Sequence, residues 1–198
     1  MKLRIWLLAL AGFSPLAAHA DMRPLLAPTR DVTVEYEVAP PGRVPVGVRV
    51  AIQAGGARLR ITSPELPTTF LVDRPAGEAT VLLPMLRAYS SMNIAKYDIE
   101  RSVLRGARFS RTGHNRIAGH DCTVWHADSA QGEADACITD DGIILRGAAA
   151  TSRRGGAGQI TALRVIYGKL HAEDFAVPPD FQPSPFSLNS LNNLGDGR

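Results

Sequence analysis

The feature that most constrains this chain is strict two-residue alternation in successive segments separated by turn residues. From Asp31 to Val38, Val32, Val34, Tyr36 and Val38 fall on one face, with Thr33, Glu35 and Glu37 on the other. Side chains alternate sides along a strand, so this pattern is a strand with one face buried. Ala39-Pro40-Pro41-Gly42 turns the chain, and Val44, Val46, Val48, Val50 and Ile52 repeat the alternation. Pro45 places this second strand at an edge or a strand start, since it has no N–H to donate. Gly55-Gly56 turns again. Ala57–Ser63, Thr68–Asp73 and Ala79–Leu86 read as the third, fourth and fifth strands. Strands at such short, even intervals joined by tight turns predict an antiparallel meander.

Ser90 to Leu104 changes period. Met92, Ala95, Ile99 and Val103 recur at helical spacing, and Ser90 or Ser91 is suited to cap the start. One principal helix after the fifth strand is therefore expected, ended by Gly106. Strand resumes over Ala107–Arg111, and Gly113-His114-Asn115 is expected to turn. After Asp140-Asp141-Gly142, Ile143–Ala150 is the next strand. Gln159–Leu170 is the last, Ala172–Phe175 a short helical turn, and the tail from Gln182 is expected to be disordered.

The two cysteines lie between Arg116 and Gly147. Cys122–His126 and Ala134–Thr139 read as a hairpin with its turn in Ala127–Glu133. With the turn centred between Ser129 and Ala130, Cys122 faces Cys137, Val124 faces Asp135 and His126 faces Glu133. Opposed residues of this kind are close enough for a cross-strand disulfide in an oxidising compartment. Two alternatives remain at this point: a pair of free buried thiols, and a metal site. His120, Cys122 and His126 share a face and Cys137 is able to join them, but H-x-C-x3-H is not a zinc-finger or knuckle spacing.

The compartment follows from the first twenty residues. Lys2 and Arg4, the apolar run Ile5–Phe13 and the small-x-small end Ala18-His19-Ala20 have the layout of a secretory signal peptide cut after Ala20. The apolar run is too short to be a membrane span, and Asp21 rather than a cysteine follows the cut. The expected product is a periplasmic protein with no lipid anchor. Residues 21–30 form a lead-in and 31–181 a single β-rich domain. With Lys2 and Arg4 removed, 20 basic residues face 19 acidic ones, a formal charge of +1. That near-balance argues against a nucleic-acid partner.

No spacing matches a catalytic template, and no cofactor is expected. There is no G-x-S-x-G. His114 and His120 lie in or beside turns, His126 reads as half of a surface cross-strand pair, and His171 has no catalytic context. Asp140-Asp141 precedes Gly142, so its simplest role is turn chemistry rather than a carboxylate pair. Calcium ligands at fixed spacing are absent. Arg153–Gly158 lacks the GK[ST] ending of a phosphate loop. Trp125, of opposite parity to Cys122, is assigned to packing.

The hairpin I-A-G-x-x-C-T-x-W…C-x-T-D-D-G-I-x-L-R (Ile117–Arg146), the meander before it and the D-F-x-V-P ending (Asp174–Pro178) together resemble exported bacterial domains similar to the lipoprotein-carrier half-barrel. The resemblance covers Asp31 to Phe181. It implies a strongly curved antiparallel sheet with an apolar concave surface, and it brings no functional residues with it. The expected function is a non-enzymatic carrier for an apolar ligand, a lipid or acyl chain. The alternative is an envelope interaction module for a peptide or partner protein.

Overall fold

A computed structural model of the chain describes residues 23–95, 106–130, 132–151 and 157–184. The expected signal peptide and residues 153–156 of the expected loop lie outside this range. Twelve strands form one open, curved sheet: β1 (Val32–Ala39), β2 (Val46–Ile52), β3 (Arg58–Thr62), β4 (Thr69–Asp73), β5 (Glu78–Leu83), β6 (Ala88–Asn93), β7 (Arg108–Ile117), β8 (His120–Ser129), β9 (Gly132–Ile138), β10 (Ile144–Thr151), β11 (Ala157–Tyr167) and β12 (Gln182–Pro183). Their order is β12-β6-β5-β4-β3-β2-β1-β11-β10-β9-β8-β7. It is two meanders joined where the last long strand, β11, returns to pair with β1. The half-barrel implied by the resemblance is present.

The expected helix is not seen. Ser90–Asn93 belongs to β6, which pairs with β5 through Thr80↔Ser91 and Val81↔Ser90. The hydroxyls of Thr80 and Ser91 lie 2.7 Å apart, so a serine read as a helix cap instead bonds across strands. The tight turn Pro84–Arg87 sets this pairing, and tertiary pairing overrides a weak helical period. Residues 96–105 of the expected helix are outside the described range, and the described residues contain only short 3-10 turns.

Two further boundaries move. The expected turn at Gly113–Asn115 lies inside β7, where a bulge between Arg111 and Gly113 absorbs the irregularity. The chain turns instead at Ala118 and Gly119, both with positive φ (49° and 81°), which suits a two-residue hairpin loop. At the other end, Gln182, the first residue of the tail expected to be disordered, is in a strand, and residues 185–198 of that tail lie outside the described range. Gln182 and Pro183 pair in parallel with Ala88 and Tyr89 of β6.

The β8–β9 register is displaced by two residues from that expected. Cys137 lies opposite Val124 and His126 opposite Asp135, with the ladder closing at Ser129↔Gly132. The Ser129 hydroxyl donates to the Gly132 carbonyl at 3.0 Å, which tightens the loop beyond the centre chosen from sequence. A two-residue shift keeps every side chain on its original face. Cys122 and Cys137 therefore still meet, diagonally, with Cα atoms 5.4 Å apart, and form a disulfide.

The core lies on one face of the β1–β11–β10–β9–β8–β7 half. Val32, Val34, Tyr36, Leu145, Ile143, Ala162, Ile117 and the disulfide are packed together there. Val32, Val34, Ile143 and Leu145 are fully buried, each stabilising the fold by about 1.5–3 kcal/mol. Tyr36 reaches through this core to donate its hydroxyl to the Ile144 carbonyl at 2.9 Å, and burial raises its pKa to about 12. The Cys122→Ala/Cys137→Ala variant should lose about 3 kcal/mol, the value for a loop of this length. Urea denaturation with and without reductant checks this: reductant should destabilise the wild type and leave the variant unchanged.

Candidate functional site

The face that holds the core continues across the other half of the sheet. Cross-strand register carries it from Val50 to Ile61, Phe70, Val81 and Ser90, and in a parallel row from Ile52 to Leu59, Val72, Ala79 and Met92. Val46 and Val48 extend it on β2. We call this the inner face. All of these side chains but one are half-buried, and Phe70 is exposed at 41%. Among the described residues, an apolar surface eleven strands wide is thus sealed by packing in one half and only partly covered in the other.

The opposite face of β3–β5 is treated differently. Thr69, Leu71, Thr80 and Leu82 are buried there. After β11 the chain crosses this outer face and ends as β12 on the β6 edge. The Asp174 carbonyl accepts from Arg60 Nη1 at 3.0 Å, and Phe175 and Val177 stand over Leu71 and Thr80 beside a cleft of about 170 Å³. The Arg58–Asp73 ion pair, 2.9 Å, borders that cleft. Residues 174–177 are therefore part of a strap on the outer face, and among the described residues no segment crosses the inner face of β2–β6 in the same way.

The inner face owes its shape to the lead-in. The Pro28 carbonyl accepts from Gly55 N at 2.7 Å, and the next nitrogen, Thr29 N, donates to the Asp141 carbonyl at 2.9 Å. One peptide unit thus ties the β2–β3 turn to the β9–β10 turn. Gly142, at φ +90°, allows the approach: a Cβ there would fall on the Ala27 carbonyl oxygen. Around this clamp, the Asp141 carboxylate accepts from Thr139 Oγ1 (2.6 Å), Tyr167 OH (2.9 Å) and Arg30 Nε (3.1 Å). The Arg30 guanidinium lies 3.7 Å from the Tyr167 ring centre. Asp31 accepts from the backbone N–H groups of Ala54 and Leu170. Sequence reading gave Asp141 to local turn chemistry. Its partners Arg30 and Tyr167 lie 111 and 26 residues away, and no local spacing signals them.

Partial burial pushes the Asp141 carboxyl up, but the hydrogen bonds from Thr139, Tyr167 and Arg30 outweigh it and hold the group below its ordinary range. Backbone hydrogen bonds from Leu170 and Ala54 lower Asp31 likewise.

The remaining sequence candidates have local partners. Both cysteines are consumed in the disulfide. His120 packs edge-on against Tyr167, with ring centres 5.8 Å apart. His126 Nδ1 lies 2.9 Å from Asp135, not Glu133, and that hydrogen bond raises its pKa. His114 contacts Thr123, and His171 and Asp174 cap the short 3-10 turn Ala172–Phe175. Trp125 is buried beneath Arg111, 4.9 Å from its ring, with a parity on β8 opposite to that of Cys122. Among the described residues, no three His, Cys, Asp or Glu side chains are grouped to hold a metal, and no helix is long and apolar enough to cross a membrane.

Because the folded-state carboxyls of Asp31 and Asp141 are depressed, their contribution is present above the ordinary carboxylate pKa of about 4 and lost as pH falls through the lower folded values. Stability should drop in that acid window. Asp141→Asn should cost about 2 kcal/mol at neutral pH and flatten the acid fall. Thermal melts from pH 7 to pH 2 check both.

No protein-family model matches the sequence, and no curated protein matches it. Solved structures do match. An uncharacterised conserved protein of Thermus thermophilus shares 10% identity at a TM-score of 0.56, over 79% of this chain and 90% of that one. The Pseudomonas aeruginosa MucA/MucB complex shares 13% identity at a TM-score of 0.52, over 76% of this chain and 56% of that one. A lipoprotein-sorting domain of Vibrio parahaemolyticus, at 12% identity over 74% of this chain and 89% of that one, matches at only 0.36, which is too low to support an argument. The chain spans little more than half of its MucB match. At these identities the likeness establishes one thing: this chain is an open, curved β half-barrel of the same fold as the Thermus and MucB structures.

Proposed function

We propose that this is an exported, non-catalytic binding protein that holds an apolar chain, such as a lipid acyl group, on the inner face of β2–β6. The observation behind the proposal is the half-exposed row Val50, Ile61, Phe70 and Val81, continuous with the sealed core. A contiguous apolar surface gains about 25 cal/mol for each Å² withdrawn from water, and such patches commonly mark binding sites. No charged side chain lies in either row across β2–β6, so a neutral, extended ligand fits better than an ionic one. The disulfide supports an oxidising compartment, which agrees with periplasmic export.

A second reading has its own support. MucB, which shares the fold, is found in complex with MucA. By analogy, the same surface or a free sheet edge would take a protein segment.

Phe70 separates these readings from a purely structural role. Being 41% exposed, it should tolerate Phe70→Arg with little change in stability. The variant should lose at least roughly tenfold in affinity for a fluorescent fatty acid, since an arginine in the row would have to be desolvated. Titration of wild type and variant checks this. Absence of wild-type binding, together with capture of a defined envelope protein by crosslinking, would favour the partner reading.

A further inference from the structure

Among the described residues, Leu25, Phe70, Leu163 and Ile166 are exposed elsewhere, but the other four exposed large apolar side chains fall in three turns. Val44 (82% exposed) is in the β1–β2 turn, Leu66 (50%) in the β3–β4 turn, and Met85 (85%) and Leu86 (73%) in the β5–β6 turn. β1, β3 and β5 all run in the same direction, because each is antiparallel to the strand between them. The three turns therefore lie at one end of the sheet, opposite the end clamped by Pro28 and Thr29. Consecutive tips are two strands apart, about 10 Å, so four large apolar side chains are presented over about 20 Å.

We infer that these three hairpin tips dock the protein on a lipid surface. The tips are separate projections rather than one continuous groove. A protein partner would need a matched pocket for each, whereas the deformable interface of a bilayer accepts all of them together. Charge agrees: Arg43 precedes Val44 and Arg87 follows Leu86, both exposed, and arginines flanking apolar tips suit anionic headgroups. Glu65 beside Leu66 opposes this, but it is turned into its own loop by the Ser63 hydroxyl at 2.6 Å. Asp180 stands 3.8 Å from Arg87 without covering it, since that arginine side chain remains 74% exposed. Prolines at positions 40, 41, 45, 64, 67 and 84 stiffen the tips, lowering the entropy lost on docking. The surface is distinct from the inner face, and the inference does not depend on a ligand being bound there.

The test is co-sedimentation of the exported protein with vesicles of phosphatidylcholine containing about a quarter phosphatidylglycerol, with no fatty acid added. The wild type should sediment with the vesicles. The Val44→Ser/Met85→Ser/Leu86→Ser variant should partition at least roughly tenfold less, the loss expected from removing three apolar side chains from the interface. These positions are exposed, so the fold should survive, which circular dichroism checks. Leu163→Ser, at an exposed apolar position on β11 (61%), should partition as the wild type does. Equal partition of wild type and triple variant, no wild-type partition, or an equal loss in Leu163→Ser would overturn the inference. So would a dimer in sedimentation velocity that the triple variant dissolves, because the tips would then be joining two copies. Fatty-acid titration is a separate measurement, so its failure and this one remain distinguishable.

Discussion

A single peptide unit, Pro28–Thr29, sets the curvature on which the rest of the molecule depends. Its carbonyl holds Gly55 and its N–H holds Asp141. In a flat sheet of this strand order the two turns would be four inter-strand spacings apart, roughly 19 Å. Bonded to opposite sides of one peptide, they lie within about 8 Å. The bend at that end draws the inner side chains of β1 and β7–β11 together, so they pack on one another without a second layer. Asp141 secures the clamp from beneath, and the bare backbone of Gly142 lets the lead-in approach. The disulfide acts in the same half, joining β8 to β9 inside the packed cluster.

Among the described residues, the β2–β6 half has no equivalent tie across its inner face. Its chain economy is reversed: the C-terminal strap covers the outer face, where Leu71 and Leu82 are buried, while the inner face stays half-exposed. One sheet thus has a sealed end and an accessible end of the same apolar surface. That asymmetry, rather than any cluster of reactive groups, is the reason for reading the protein as a binding module. The β2–β6 half also carries the apolar hairpin tips, so the surface proposed for an apolar chain and the tips proposed to meet a bilayer belong to the same strands.

Much of this was legible in sequence because period-two alternation is a local property. The strict alternation of Val32–Val38 and Val46–Ile52 placed β1, β2 and the inner face correctly, but Val44, counted in the same alternation, lies in the β1–β2 turn and is exposed. Parity brought Cys122 and Cys137 to one face even though the register was two residues off, since an even shift preserves the face. What sequence could not supply was contact between distant segments. Ser90 and Ser91 look like helix caps until β5 is beside them, and Gln182 looks like a disordered tail until β6 offers its edge. Asp141 looks like a turn residue because Arg30 and Tyr167, which define its role, are far away in the chain. Trp125 was assigned to core packing; it is buried, but outside the main core cluster and beneath Arg111.

The central claim, that the accessible half of the inner face is where an apolar chain binds, is tested most directly by photolabelling with a fatty acid bearing a diazirine near its methyl end, followed by peptide mapping. Labels concentrated on β3–β5 at Ile61, Phe70 and Val81, and competed away by unlabelled fatty acid, are the predicted result. Labels confined to the strap at Phe175 and Val177, or spread over the surface without competition, would contradict it.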